Sequence, residues 1–591
     1  MKKLLIVILL LTIGRLSAQQ QVTFHLTELP ELNTAKPGLR GSVPPLSWEK
    51  TVFLENTKDT WQQTIIFEAT PDLLEYKFVL ETPDGQVTWE LDRQGNRLGI
   101  FTPTFLPGTE VWDKLPVYQA ADLPLLDPAA LTSDAKLLGE ALWKLHPGIF
   151  RYHDSTSFYE ALASLEQKFT KPHSYAEAYK EISRFTATLK CGHTYANPFN
   201  QTGVVKHVIL DQPDKLPFGL QWLDRKLYIT KNVAPDDELQ RGTQILAING
   251  MSIDQLADSL LILTRGDGDN HAKRFNDLNV AGYNTYEVFD VYMPLFLPPN
   301  EGFYELTVQQ PGAVESHSIK VQALTRADRN RAIYKKFPDM PRRYDDTWSF
   351  KLLNPKTGYL KMGTFTIWNF EMDWKKFLDD AFKTLKKEEV LNLVIDIRGN
   401  EGGADEVLAV LNNYLLKEDC TQNAFEDRQR FNYLPEYLRP YISTWDKSVY
   451  DFRETTKSCG ANFYMPIEGT LGVNKYPKGK KAYQGKVYLL VDAANSSATF
   501  YMAKAFRDCN VGQLVGETTG GSLKGLNGGN MLFFQLPETG IEVDIPIFGS
   551  FNEDAPARGI IPDIEVPTTY EGIKSGKDEQ MEAVLELIAR E

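Results

Sequence analysis

The sequence predicts a multidomain α+β protein: an N-terminal β-sandwich, a helical subdomain, a second β domain and an α/β core. Three observations predict it. Alternating apolar residues, broken by Gly, Pro and Asp at hairpin spacing, fill residues 19–105. Apolar residues then recur at i, i+3 and i+4 through 129–204. Further on, two nearly all-apolar runs at 390–397 and 487–491 read as strands buried in one sheet, with helical patterns between and after them.

The chain has 591 residues, room for about four domains at ~150 residues each. Lys2 and Lys3 precede a short apolar run over 4–13, and Leu16, Ser17 and Ala18 supply small residues before Gln19. This is the pattern of a cleaved secretory signal peptide over 1–18, so the mature chain is expected to be secreted or periplasmic. No later run reaches the ~18 apolar residues of a membrane span. The sandwich strands are expected at 61–67, 74–80 and 87–91, and a linker at 106–128. Helices are expected at 131–145, 155–169 and 174–189. The second β domain occupies 205–345 and contains Gly242, Ile245, Leu246, Ile248, Asn249 and Gly250, a β-run closed by the Asn-Gly of a tight hairpin. The α/β core covers 346–591, with a strand at 359–365 and an amphipathic helix at 374–387.

Hydrophobic residues make up 42%, charged residues 24%, and the formal net charge is -14. A phosphate-backbone binder needs a basic face, so nucleic acid is excluded as a partner. The four cysteines are Cys191, Cys420, Cys459 and Cys509. None has metal-ligand spacing and His is scarce, so no metal or other cofactor is expected. Cys420 and Cys459 flank a loop-rich stretch and are a candidate disulfide pair in an oxidising compartment.

Two stretches carry chemistry. Val491, Asp492, Asn495, Ser496, Ser497 and Ala498 place two hydroxyls between a buried strand and a helix start. That position presents a nucleophile at a sheet edge and aims helix N–H groups at developing negative charge. It also suits an ordinary N-cap, so either serine has a structural reading as well. Asp396, Arg398, Asn400, Gly402 and Gly403 follow the other buried strand. The glycines allow a sharp turn with exposed N–H groups, and Asp396 and Arg398 can lock it by hydrogen bonds.

The order "D-x-R-x-N-x-G-G" and then "S-A" resembles the tail-specific (C-terminal processing) proteases and tricorn-type serine peptidases. Gly516, Glu517, Gly520 and Gly521, and then Arg558, Gly559, Pro562, Asp563, Ile564 and Val566, extend the resemblance. It implies a core of the crotonase-like/ClpP-like type, a PDZ-like domain over 242–250 and its surroundings, and a polypeptide substrate docked by strand addition. It places the nucleophile on Ser497 and the oxyanion hole on Ala498, Gly402 and Gly403. Phe500 stands where the family often has Glu. Ser522 stands where the processing proteases have a Lys base, and Lys524 is displaced by two. The tricorn branch uses a His in a "G-H-T" turn, which falls on His193. Glu517 or Glu553 is then the orienting acid.

The N-terminal domain resembles a starch-binding module through Arg40, Gly41, Ser42, Trp48, Trp61, Glu75, Tyr76, Lys77, Phe78, Trp89, Asp92, Gly95, Asn96 and Arg97. Trp48 and Trp89 are the candidate glycan contacts; such aromatics also serve as sandwich core. The resemblances imply a secreted serine endopeptidase, or an inactive peptide- or glycan-binding protein that keeps the fold.

Overall fold

The computed structural model describes residues 20–590 except 28, 30–31, 33, 58–59, 68–72, 86, 91–96, 101–108, 112–122, 236–238, 283–285, 424, 461 and 468–472. The expected leader, most of the 106–128 linker, and Asp92, Gly95 and Asn96 lie outside these residues. The chain divides into two compact units. One is residues 1–123 with 202–204, and the other holds the remainder.

In the first unit, period-2 sequence becomes two sheets. One runs Glu55–Thr57, Thr60–Phe67, Gln20–Thr27, Thr109–Val111; in the other, Leu73–Glu81 is central and pairs with Lys36–Gly41, Val87–Trp89 and Arg97–Ile100. Alternate residues Val22, Phe24, Leu26, Ile65, Phe67, Leu74, Tyr76, Phe78 and Leu80 face one shared core. Trp61 packs against that core. Trp48 and Trp89 lie outside it, their ring centroids 6.1 Å apart, with the Arg40 guanidinium 5.3 Å from the Trp89 ring centre.

The second unit opens with helices Pro128–Leu145, Ser155–Lys168 and Tyr175–Thr188. Their starts follow from local chemistry. Asp127 and Asp154 accept from the first-turn N–H groups, and Ser174 forms a reciprocal capping box with Glu177. A sheet follows in the order Phe218–Leu223, Lys226–Asn232, Gln244–Ile248, Phe303–Gln309, His317–Gln322. Asn249 and Gly250 turn it at φ +47° and +81°, as an Asn-Gly hairpin requires. Its edge strand Phe218–Leu223 is already occupied. Leu220 exchanges two backbone hydrogen bonds with Val280, and Trp222 N–H donates to Asn279 Oδ1.

The core sheet runs Trp348–Asn354, Thr357–Met362, Asn392–Asp396, Lys486–Val491, Gln513–Gly516, Ile564–Glu565. All pairs after the first are parallel. Helix Trp374–Lys387 buries Trp374, Leu378, Phe382 and Leu385 against it. The expected strand at 359–365 is shifted to Thr357–Met362, because Phe365 leaves the strand to pair with Gly403 instead. In an open parallel sheet the crevice beyond the carboxyl ends of neighbouring strands is the place for a ligand. Here Asn392–Asp396 and Lys486–Val491 are those neighbours, and both turns singled out in the sequence lie at that end.

Cys420 pairs with Cys509 and not with Cys459, which is exposed and free; Cys191 is buried and free. The strands between the two cysteines pair elsewhere, Cys420–Asn423 with Val473–Tyr476, Glu426–Arg428 with Glu542–Phe551 and Ile442–Ser443 with Asn527–Gln535. Cys509 instead closes the helix Ser497–Asp508, whose end packs 5.5 Å, Cα to Cα, from Cys420.

Candidate active site

The two strand-end turns are tied together residue by residue. After Asn392–Asp396 the chain bends at Gly399, φ +77°. Asp396 accepts from Arg398 N–H at 3.0 Å, from its guanidinium at 2.8 and 3.0 Å, and from Tyr359 O–H at 2.8 Å. Burial would raise this carboxyl, but Lys361 and Arg398 outweigh it and hold its pKa far below the usual carboxylate range. The charged lock expected of Asp396 and Arg398 is therefore present. From the other turn, Asn495 Nδ2 donates to Ile397 O at 2.6 Å and to Asn400 O at 3.0 Å. Thr499 Oγ1 donates to Asn400 O at 2.9 Å, and Ser496 Oγ to Glu401 O at 3.3 Å.

Neither serine is a side-chain cap. Ser496 is the N-cap residue but makes no capping hydrogen bond. Ser497 is the first residue of the helix and sits at φ +51°, a left-handed conformation that costs an L side chain roughly 1–2 kcal/mol. Its hydroxyl donates to no described residue. Gly402, φ +109°, lies directly against it. A Cβ on Gly402 would stand 2.8 Å from Ser497 Cβ and 3.0 Å from Ala498 N. Gly403, φ +136°, passes as closely to Phe365, where a Cβ would fall 2.3 Å from the carbonyl. Gly402 N–H already donates to Asn400 Oδ1 at 2.9 Å. Of the three groups expected to face an oxyanion, Gly402 is thus engaged in building the turn, while Ala498 N–H lies in the first, unpaired turn of a 12-residue helix. Gly403 N–H is likewise outside the bridge between Phe365 and this turn, which uses Gly402 O and Ala404 N–H.

His193 follows helix Tyr175–Thr188 in a turn started by Lys190 at φ +52°. The turn is fixed from three sides. Asp267 accepts from Gly192 N–H at 2.9 Å, Arg265 donates to Gly192 O at 2.8 Å, and Tyr195 O accepts from Asp544 N–H at 3.0 Å. His193 Nδ1 is buried with no hydrogen-bond partner. A doubly protonated ring would hold an unsatisfied N–H there. Burial, then Arg265 and Lys273, lower the ring's pKa to about 4, with Glu401 opposing them. The imidazole is therefore neutral at pH 7 and free to accept a proton.

Three charged residues bear on this ring, Arg265, Lys273 and Glu401, and Asp277 pairs with the two cations; none was singled out in the sequence. Lys273, on helix His271–Asp277, donates to Asp277 at 2.7 Å and to Glu401 at 3.0 Å. Arg265 lies 3.4 Å from Glu401 and 3.6 Å from Asp277, with its guanidinium 4.1 Å from the Tyr195 ring centre. Burial alone would push the Lys273 ammonium down, but Asp277 and Glu401 outweigh it and keep it charged. Lys273 is thus a fixed cation at neutral pH and no proton acceptor. Asn270 anchors its helix by donating to Thr519 O and Gly521 O at 2.9 and 3.0 Å. The visible sequence signal was an Asn cap followed by Lys and Asp at i, i+4 spacing.

The structure places both expected acids in other bonds. Glu517 accepts from Thr568 N–H and Oγ1, each at 2.7 Å, and fastens the edge strand Ile564–Glu565. Glu553 is exposed and pairs with Arg428 at 2.9 Å. Ser522 is buried, accepting from Tyr152 O–H at 3.1 Å and from Lys524 N–H at 3.3 Å. Phe500 is fully buried and fills the core under Gly521, which explains why no carboxylate stands there. Among the described residues no group of His, Cys, Asp and Glu could hold a metal ion.

Residues 356–566 match the family model described as peptidase family S41. Among solved structures, mature CPAF is 15% identical, with a TM-score of 0.53 over 78% of this chain and 97% of that one. CPAF complexed with lactacystin is 15% identical, with a TM-score of 0.54 over 78% and 98%. These show a shared fold. The tricorn protease, 12% identical with a TM-score of 0.32 over 94% of this chain and 45% of that one, adds no weight to it. No curated protein sequence matches the chain at a significant level.

The Gly402 contact and its positive φ make one substitution decisive. Gly402→Ala should lower kcat by roughly 100-fold or more, since a displacement of ~1 Å at the reacting atoms costs that much. Hydrolysis assays alongside thermal melts check this; wild-type kcat in a folded variant would mean that Ser497, which Gly402 touches, is not the reacting residue. The state of His193 gives a second expectation. If the neutral ring serves as the base, its lowered pKa keeps the active form well below 6.5 and loses it as pH falls through about 4. The acid limb of kcat/KM against pH should therefore lie near 4, and a limb at 6.5 would rule this assignment out.

Proposed function

We propose that the chain, whose residues 356–566 match the model of peptidase family S41, is a serine-type peptidase, a hydrolase, and cleaves polypeptides with Ser497 as nucleophile and His193 as base. The observation that carries this is the backbone of Ser497. A non-glycine residue held at φ +51°, with an uncommitted hydroxyl beside Gly402 and Ala498 N–H, has no structural use that repays its strain.

In the proposed reaction Ser497 Oγ bonds to the peptide carbonyl carbon as its proton passes to His193. Ala498 and Gly403 N–H groups receive the oxyanion. The imidazolium returns the proton to the departing amine, and water then cleaves the acyl-enzyme by the same route. Ser–Lys chemistry is disfavoured, because Ser522 occupies the lysine position and Lys273 is held as a cation.

Peptide docking is assigned to the sheet over 218–322. Strand addition at Phe218–Leu223 is met by Asn279 and Val280, so the free edge His317–Gln322 is the docking strand. Secretion is supported by the leader-like pattern over 1–18 and accords with the Cys420–Cys509 disulfide. In the first unit, the neighbouring Trp48 and Trp89 rings form an aromatic pair suited to the apolar faces of a sugar, which favours glycan contact by that module.

Casein and peptides incubated with wild type and with Ser497→Ala test the central reading. Cleavage should vanish in the variant, and a fluorophosphonate probe should label Ser497 in wild type. Equal cleavage by both proteins would remove Ser497 from the mechanism; peptide binding without labelling would favour the inactive binding protein. Starch or glycogen should retain wild type and release Trp48→Ala/Trp89→Ala, and equal retention of both would refute the glycan reading.

A further inference from the structure

Glu401 occupies an unspecified position in the turn that carries Asp396, Asn400 and Gly402, yet its side chain is the meeting point of the site's charges. It is covalently next to Asn400, which builds the turn, and to Gly402, which touches Ser497. Its own carbonyl accepts from Ser496 Oγ at 3.3 Å. Its carboxylate accepts from Lys273 Nζ at 3.0 Å and from Arg265 Nη2 at 3.4 Å. Arg265 in turn donates from Nη1 to Gly192 O at 2.8 Å, one residue before His193. A continuous path of bonds thus joins the turn of the nucleophile to the turn of the base, and it passes through Glu401 and Arg265.

The same arrangement has a charge consequence. The groups bearing on His193 are Arg265, Lys273 and Glu401. Around them, Asp277 faces both cations, Asp267 holds Gly192 N–H, and Tyr195 and Tyr286 flank Arg265. When the ring takes the proton of Ser497, a third positive charge forms beside two fixed ones. Like charges in a poorly solvated site repel strongly, and a carboxylate facing them offsets that repulsion.

We propose that Glu401 is a positioning and charge-balancing residue of the hydrolysis. Through Arg265 it fixes the His193 turn against the Ser497 turn, and its negative charge offsets Arg265 and Lys273 while His193 is an imidazolium. This rests on the reading of Ser497 as nucleophile and His193 as base. The proton balance is unchanged: it leaves Ser497 Oγ, resides on the ring and departs with the amine.

The test uses the full mature chain, a peptide substrate, pH profiles and thermal melts. Glu401→Gln keeps the shape and loses the charge. It should lower kcat by about 10- to 100-fold, leave KM within about twofold, and move the acid limb of kcat/KM below that of wild type. Glu401→Gln/Lys273→Met removes one charge of each sign, takes away one of the two cations that Glu401 offsets while leaving Asp277 to face Arg265, and should recover at least about tenfold of the lost kcat. Arg265→Lys keeps the charge but loses the two-armed bridge, and should fall between wild type and Glu401→Gln. A Glu401→Gln enzyme with kcat within about twofold of wild type and an unmoved acid limb would overturn the proposal. So would a slow variant with an unmoved limb and no recovery in the double variant, which is the behaviour of a residue needed only for folding. His193→Gln separates the two readings. Full activity there would overturn the base assignment itself, whereas an inert His193→Gln beside a fully active Glu401→Gln would overturn only the role of Glu401.

Discussion

The carbonyl oxygen of Asn400 accepts two hydrogen bonds, one from the Asn495 side chain and one from the Thr499 hydroxyl. Both donors belong to the segment that carries Ser497, and the acceptor belongs to the segment that carries Gly402. Two turns on two strands are thereby made into one rigid object. Asn495 and Thr499 are fully buried, so these bonds are neither shared with nor replaced by bulk water. An unpaired Asn400 carbonyl or Asn495 amide at this depth would cost about 1–3 kcal/mol. The spacing of Ser497, Gly402 and Ala498 depends on this junction, and the parallel pairing of Asn392–Asp396 with Lys486–Val491 brings it about.

Around that junction the site is built from three distant parts of the chain. The helical region contributes His193, the sheet over 218–322 and its insertions contribute Arg265 and Lys273, and the core contributes Glu401 and Ser497. Charge holds the parts in place. A buried ion pair is weak evidence for stability, because desolvation of two ions offsets their attraction. Its value here is geometric: Arg265 holds Gly192 O, Glu401 and the Tyr195 ring together in one arrangement. The electrostatic cost falls on the histidine, which is kept neutral by burial first and then by two neighbouring cations.

Much of this was legible in the sequence, for reasons that differ by element. Helix Trp374–Lys387 was read to the residue because its apolar stripe is regular and Asp373 caps it. The strands before Arg398 and Asp492 were legible because strands covered on both faces are apolar throughout. The family resemblance singled out Ser497 over Ser496, and the backbone at 497 is what distinguishes them physically. Lys273 and Arg265 were not legible, since they lie in a stretch whose short helix and loops carry no period. Glu401 looked like filler inside a glycine turn. Cys420 was matched to the wrong partner because nearness in sequence says little about a bond that depends on where a helix ends. Glu517 and Glu553 were chosen as carboxylates near motif residues, yet each is engaged by a partner distant in sequence, Thr568 and Arg428, that pattern alone does not reveal.

The left-handed backbone at Ser497 sets chemistry against folding at a single position. Glycine adopts φ +51° without the penalty that serine bears, so the residue proposed to react is not the one the fold would choose. A chain released from selection for hydrolysis would gain about 1 kcal/mol by drifting to glycine at 497, and its core, disulfide and turns would be undisturbed. Loss of activity in this architecture is therefore downhill in stability and silent in shape. Copies that have stopped cutting would be expected to persist as well-folded proteins, and thermal stability is the wrong quantity by which to tell them from working enzymes.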